Sequence, residues 1–244
     1  MHQNKIFDFL AGETIPVNKP YRWTSFDVVN KIRYSIKQHL GIPKIRIGHA
    51  GTLDPLATGL LIICTGKHTK QIENLQSLEK EYSGIIRLGA TTPSFDLETE
   101  VDRVFPFEHI NWVDLEKAAM RLSGEVMQIP PVFSAIKIKG RRAFDYARNE
   151  ESLQIKARKV HIKEFRITSF DPPDVGFSIV CSKGTYIRSL ARDLGTILES
   201  GAHLSSLHRD RIGDFGSEKA YELDDLLAIL INSQQIDPDS SSVS

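Results

Sequence analysis

Apolar positions along this chain follow two rhythms, with one unbroken run between them. Val28, Val29, Ile32, Ile36 and Leu40 recur at helical spacing, while Lys31, Arg33 and Lys37 lie off that face. Thr24 followed by Asp27 predicts a capped start for this helix, and Gly41 with Pro43 predicts its end. The run Leu60 to Cys64 has the length of a strand buried on both sides. Tyr82, Gly84, Ile86 and Leu88 alternate with Ser83, Ile85 and Arg87, which predicts a strand with one buried face. A second helix is expected over 111–124, with Leu115, Ala118, Ala119 and Leu122 inward and Gly124 as its C-cap. Strands are expected over 155–170 and 176–182, joined by the turn Asp171-Pro172-Pro173-Asp174. Ile187, Leu190, Ala191, Leu194, Ile197 and Leu198 form a helical stripe. Shorter signals predict a strand over 13–18, a surface helix over 67–80, an extended segment over 202–213 and an acidic helix over 222–231. Periodicity therefore supports a mixed α and β domain.

Composition narrows the class. A chain of 244 residues, 41% hydrophobic and 25% charged, is ordinary for a globular protein with its own core. No run approaches the ~18 apolar residues that span a bilayer, and the N-terminus shows no secretory signal. Cys64 and Cys181 both lie in apolar surroundings and are expected as free thiols in a reducing compartment. The 31 basic and 31 acidic side chains balance, yet they are segregated. Residues 31–53 hold five Lys and Arg and no acid; residues 134–166 hold ten against four acids. Such zones are either solvated faces or local holders of a phosphate backbone.

The candidate chemistry lies in GHAGTLDPLATGLLIICTG, residues 48–66. Four glycines punctuate it, Asp54 sits just before Pro55, and His49 lies five residues upstream. On the residues alone Asp54 is either a turn former before proline or a lone reactive carboxylate on a tight loop. The eight histidines are scattered without zinc-ligand spacing, and no Walker, dinucleotide or GxSxG pattern occurs. A glycosidase needs two carboxylates flanking the bond, whereas one dominates here.

The string GHAGTLDPLATGLL resembles the signature loop of the TruB-type tRNA pseudouridine(55) synthases. Four motifs carry the resemblance over roughly residues 14–213: KPYRWTS at 19–25, the signature loop, KEY at 80–82, and CSKGTYIRSLARDLG at 181–195. The segment QIPPVFSAIKIKGRRAFDYAR is similar to a further family stretch, with Phe133 and Phe144 where tyrosines are common. Arg22 stands where the family has glycine, so a different turn or an outward side chain is expected there. Asp96 is expected to serve loop structure alone.

The resemblance implies an α+β pseudouridine synthase fold, with a central mixed, mostly antiparallel sheet, flanking helices and a catalytic cleft. It implies one catalytic domain over 1–232, an RNA-gripping arm near 128–150, and a disordered tail at 233–244. Asp54 becomes the catalytic nucleophile or base and Arg188 its ionic partner. His49, Tyr82, Tyr186 and Leu207 become substrate-binding, and Lys19, Lys137, Arg142 and Arg148 RNA-binding. The expected reaction flips a uridine out of the tRNA T-loop and isomerises it, with no cofactor and no metal. A monomeric cytoplasmic enzyme without membrane contact is expected, its length leaving no room for a C-terminal RNA-binding domain of the PUA type. Two other readings remain open: an RNA chaperone that uses the basic zones rather than Asp54, and a synthase acting on another RNA such as rRNA.

Overall fold

The structure, a computed structural model, describes residues 7–134, 137–138, 141–142 and 155–232. In chain order the elements begin with β1 (Thr14–Lys19), α1 (Ser25–Leu40), β2 (Ile47–His49), β3 (Ala57–Thr65) and α2 (Ile72–Ser77). There follow β4 (Lys80–Leu88), β5 (Ala90–Thr91), β6 (Arg103–Val104), α3 (Trp112–Arg121) and β7 (Gly124–Gln128). Next come β8 (Lys137–Ile138), β9 (Arg141–Arg142), β10 (Arg158–Asp171), β11 (Asp174–Cys181) and α4 (Ile187–Ile197). The chain closes with β12 (Ala202–Ile212), β13 (Phe215–Gly216), β14 (Tyr221–Glu222) and α5 (Leu223–Asn232). Two compact units result: one from the chain up to Leu78 together with the part from Arg209 onward, the other from Glu79 to His208.

In the first unit β1 runs antiparallel to β3, with Val17 opposite Leu61, and parallel to β14. β2 pairs antiparallel with β3, placing His49 opposite Ile63. The unbroken apolar run of β3 has the physical reason expected. Leu61 and Ile63 join a cluster with Ile15, Val17, Val28, Ile32, Ile36 and Leu226, while Leu60, Ile62 and Cys64 join another with Ala50, Leu75 and Ile212. A strand buried on both faces holds its flanking loops to rigid backbone, each such side chain contributing roughly 1.5–3 kcal/mol. Helix α1 starts with the anticipated capping box, Thr24 and Asp27 each bonding the other's backbone N–H. Its buried residues match the predicted stripe except Leu40, which is 40% exposed at the last turn. The surface helix expected over 67–80 is a 3-10 turn at Gly66–Gln71 followed by one short α-helix, the Thr69 hydroxyl bonding the Gly66 carbonyl.

In the second unit β4, β11, β10 and β7 form an antiparallel series. The predicted parity of β4 holds: Tyr82, Ile86 and Leu88 are buried while Ile85 is 38% exposed. Helix α3 is capped by Asn111 and stops at Leu122, not Gly124; the glycine takes φ 80° and opens β7. Helix α4 buries Ile187, Leu190, Ala191 and Leu194 as the stripe requires. The fold is thus α+β, with mixed and mostly antiparallel strand pairing and flanking helices. Cys64 and Cys181 are buried free thiols. Among the described residues no helix is long and apolar enough to cross a membrane. The expectations for Arg148 and for the 233–244 tail lie outside the described residues.

Candidate active site

Asp54 sits half-buried on the loop between β2 and β3, and side chains from three other elements grip the backbone on either side of it. From the end of β1, the Lys19 ammonium donates to the carbonyls of Trp23 (2.6 Å), Pro20 (2.9 Å) and Pro55 (3.2 Å). From the first turn of α1, the Ser25 hydroxyl accepts from the Leu53 N–H at 2.8 Å and donates to the Leu53 carbonyl at 3.2 Å. From β12, the Arg209 guanidinium donates to the carbonyls of Leu60 (2.8 Å), Gly51 (3.1 Å) and Thr52 (3.5 Å). Gly51 takes φ 101°, a backbone state that L side chains rarely adopt. Lys19 and Arg209 are each 1% exposed, and among the described residues neither forms an ion pair.

Charge within this loop is tuned by burial. The Lys19 ammonium is brought down to about 8, first by desolvation and then by the Arg209 cation, with Asp54 and Asp27 opposing. His49, half-buried in β2, is also shifted down, by burial first and Arg209 second, against a hydrogen bond to the Gly51 backbone. A neutral imidazole is therefore favoured there. Arg22 takes φ 65°, the left-handed turn that glycine would adopt freely, and its N–H reaches the Pro55 carbonyl at 2.9 Å. Its guanidinium lies outward over the Tyr21 ring at 5.6 Å.

In the second unit Arg188, near the start of α4, is 2% exposed. Its guanidinium donates to the carbonyls of Phe133 at 2.9 Å and Ser94 at 3.1 Å, and its Nε lies 3.6 Å from the Asp96 carboxylate. The Phe133 contact uses the main chain, so phenylalanine serves at that point as well as tyrosine. The expectation that Asp96 is only a loop former is corrected, because its buried carboxylate also lies at ion-pair distance from Arg188. The Asp96 loop is built from Thr92 and Ser94 hydroxyls bonded to the Asp96 carbonyl and from Phe95 at φ 64°.

Tyr186 precedes α4, and the buried Gln128 side chain bonds both its N–H (2.8 Å) and its carbonyl (3.1 Å). The Arg158 guanidinium lies 4.7 Å from the centre of the Tyr186 ring. Tyr82 is 8% exposed, opposite Ile179 in β11, and Leu207 is half-buried in β12. Lys137 pairs with Arg142 across β8 and β9. Among the described residues there is no cluster of three or more metal-ligating side chains.

Residues 37–187 match the TruB family pseudouridylate synthase N-terminal domain, and residues 188–241 match the tRNA pseudouridylate synthase B C-terminal domain. The chain belongs to the TruB family of pseudouridylate synthases. It is an isomerase that converts uridine to pseudouridine. A tRNA pseudouridine synthase B of Flavobacterium johnsoniae is 52% identical over 88% of this chain and 95% of its own length. One from Phocaeicola vulgatus is 55% identical over 85% and 88%. Among solved structures, a Cbf5-Nop10-Gar1 complex matches with TM-score 0.68 and 28% identity, over 90% of this chain and 54% of that one. An H/ACA RNP bound to a substrate RNA containing 2′-deoxyuridine matches with TM-score 0.66 and 25% identity, over 94% of this chain and 57% of that one.

Set against the residues the TruB resemblance singled out, the first unit brings Asp54, His49 and Lys19 to one loop system, and the second holds Tyr82, Tyr186, Leu207 and Arg188. Lys19 differs from its expected role: a phosphate would have to displace three carbonyls from an ammonium that is 1% exposed. Arg209, Gln128 and Asp96 were missed. Arg209 sits in RDRIGDF among other charges, and its partners are main-chain carbonyls, which leave no mark in sequence.

Proposed function

We propose that this TruB-family enzyme acts on tRNA, isomerising the T-loop uridine at position 55 as a monomer. The observation that carries the proposal is the Asp54 loop, a lone carboxylate on a backbone locked by two buried cations inside the string GHAGTLDPLATG. The names of the relatives support tRNA as the substrate. A uridine within a folded loop is first extruded, at a cost of a few kcal/mol of stacking. The N1–C1′ bond then breaks, the uracil turns in place, C5 bonds to C1′, and the C5 proton is lost as N1 gains one. Asp54 starts this as nucleophile at C1′ or base towards the ribose, and Arg188 serves as its counter-ion. Tyr82, Tyr186 and Leu207 hold the base while neutral His49 fills the space it vacates. Lys137, Arg142 and Arg148 grip the RNA backbone, and Lys19 serves the catalytic loop instead.

The test uses unmodified tRNA labelled with tritium at uridine C5, with mapping of any pseudouridine formed. Wild-type protein releases tritium from one T-loop site; Asp54→Asn releases none and still binds the tRNA. Turnover by that variant would overturn the assignment of Asp54, and a product elsewhere in the RNA would overturn the assignment of position.

A further inference from the structure

We propose that Arg209 is a positioning residue for the isomerisation, its planar fork fixing the turn that presents Asp54. The proposal rests on the reading of Asp54 as the catalytic carboxylate. The chain leaves regular structure after His49 and re-enters it at Ala57, and one guanidinium takes the carbonyls of Gly51 and Thr52 at the start of this excursion and that of Leu60 inside β3 beyond it. The excursion is thereby closed on itself like a ring. Each substitute loses part of that geometry: a lysine is a point charge on a flexible stem and cannot span Leu60, Gly51 and Thr52 together.

The energetics argue for a task beyond stability. An arginine stays charged in any protein, and burying a cation without a carboxylate is expensive even when carbonyls surround it. Packed apolar residues would fill the same space at lower cost. The cation also lies at the one place where an anion must be aimed. Glycine at 51 serves the backbone and not clearance: φ 101° disfavours any side chain, while a Cβ there would meet the Arg209 Nη1 at 3.6 Å, an ordinary contact. The loop has independent holds at Leu53 through Ser25 and at Pro55 through Lys19, so losing Arg209 should loosen its rims without releasing the whole. Small displacements suffice, since a 1 Å misplacement of a reacting group costs on the order of 100-fold in rate.

Arg209→Met and Arg209→Lys are compared with the wild type in single-turnover pseudouridine formation, tRNA affinity, urea denaturation and amide hydrogen exchange. Assays are run at a temperature where each variant is fully folded. The expected result is a rate loss of about 100-fold with tRNA affinity within threefold of wild type. Arg209→Lys, which keeps charge and most of the volume, should recover less than tenfold of that loss. It should also speed exchange at the Leu53 and Ala57 amides about tenfold, with α5 amides unchanged. Rates within threefold of wild type in a folded variant, or a loss that follows only the unfolded fraction, would overturn the proposal. Should Arg209→Met not fold, Arg209→Lys decides on the same readouts. Inactive wild type would fault the proposed function alone, and unchanged exchange at Leu53 and Ala57 would fault this inference alone.

Discussion

Lys19 and Arg209 in the first unit and Arg188 in the second are buried to the same degree, at 1%, 1% and 2% exposure, yet their charges are met differently. The first two donate to main-chain carbonyls of the Asp54 loop and its surroundings. Arg188 donates to two carbonyls and also faces the Asp96 carboxylate at 3.6 Å. Carbonyl dipoles satisfy donors without cancelling a charge, so the first arrangement shapes a backbone and leaves a positive field in place. A carboxylate neighbour offsets the charge as well. One unit thus uses buried cations to hold a loop, while the other buries its guanidinium beside an acid.

The largest effect expected from breaking this contrast is at Asp96. Asp96→Ala removes the buried carboxylate that lies 3.6 Å from the Arg188 guanidinium and should lower stability by about 3–5 kcal/mol in urea denaturation. A loss below about 1 kcal/mol would mean that burial of Arg188 does not depend on the Asp96 carboxylate.

Lys19 should respond to pH. Its folded value of about 8 lies below the 10.5 of free lysine, so the buried charge costs stability in full below pH 8. Between about 8 and 10.5 the unfolded chain binds more protons than the folded one, and that cost is relieved as pH rises. Asp54, Arg209 and Asp27 are the charged groups that act on it. Relative to Lys19→Met, the wild type should therefore gain stability from pH 7.5 to pH 10, as read by paired urea titrations. A flat difference would mean that the amine is not desolvated.

Arg22 gives the smallest effect. Arg22→Val, β-branched at φ 65°, should cost about 1 kcal/mol. Arg22→Gly should stay within about 1 kcal/mol of wild type, because relief of strain and added freedom of the unfolded chain oppose each other. Thermal midpoints of the two variants check the order.

Much of the scaffold could be read from residue spacing. The α1 stripe, the doubly buried β3 and the alternation of β4 follow from burial on one face or two, which periodicity records. The 67–80 segment differs because it opens as a 3-10 turn, with the Thr69 hydroxyl on the Gly66 carbonyl, and α3 is shorter than its spacing predicts because its last turn closes at Leu122. Asp54, Tyr82, Tyr186 and Arg188 are candidates through a family resemblance, not through spacing. The Asp96–Arg188 contact joins residues 92 positions apart, and Gln128 reaches Tyr186 across 58. Side chains that bond distant main-chain groups have no partner residue type to betray them. Lys19 likewise gave no sign in sequence of its acceptors, the carbonyls of Pro20, Trp23 and Pro55, which any residues would supply.

The hydrogen bond from Arg209 to Leu60 joins residues 149 positions apart in the chain. During synthesis the Asp54 turn therefore emerges long before its last fastener does, by roughly 7–30 seconds at about 5–20 residues per second. A nascent polypeptide carries Asp54 before it carries the guanidinium that ties Gly51 to Leu60.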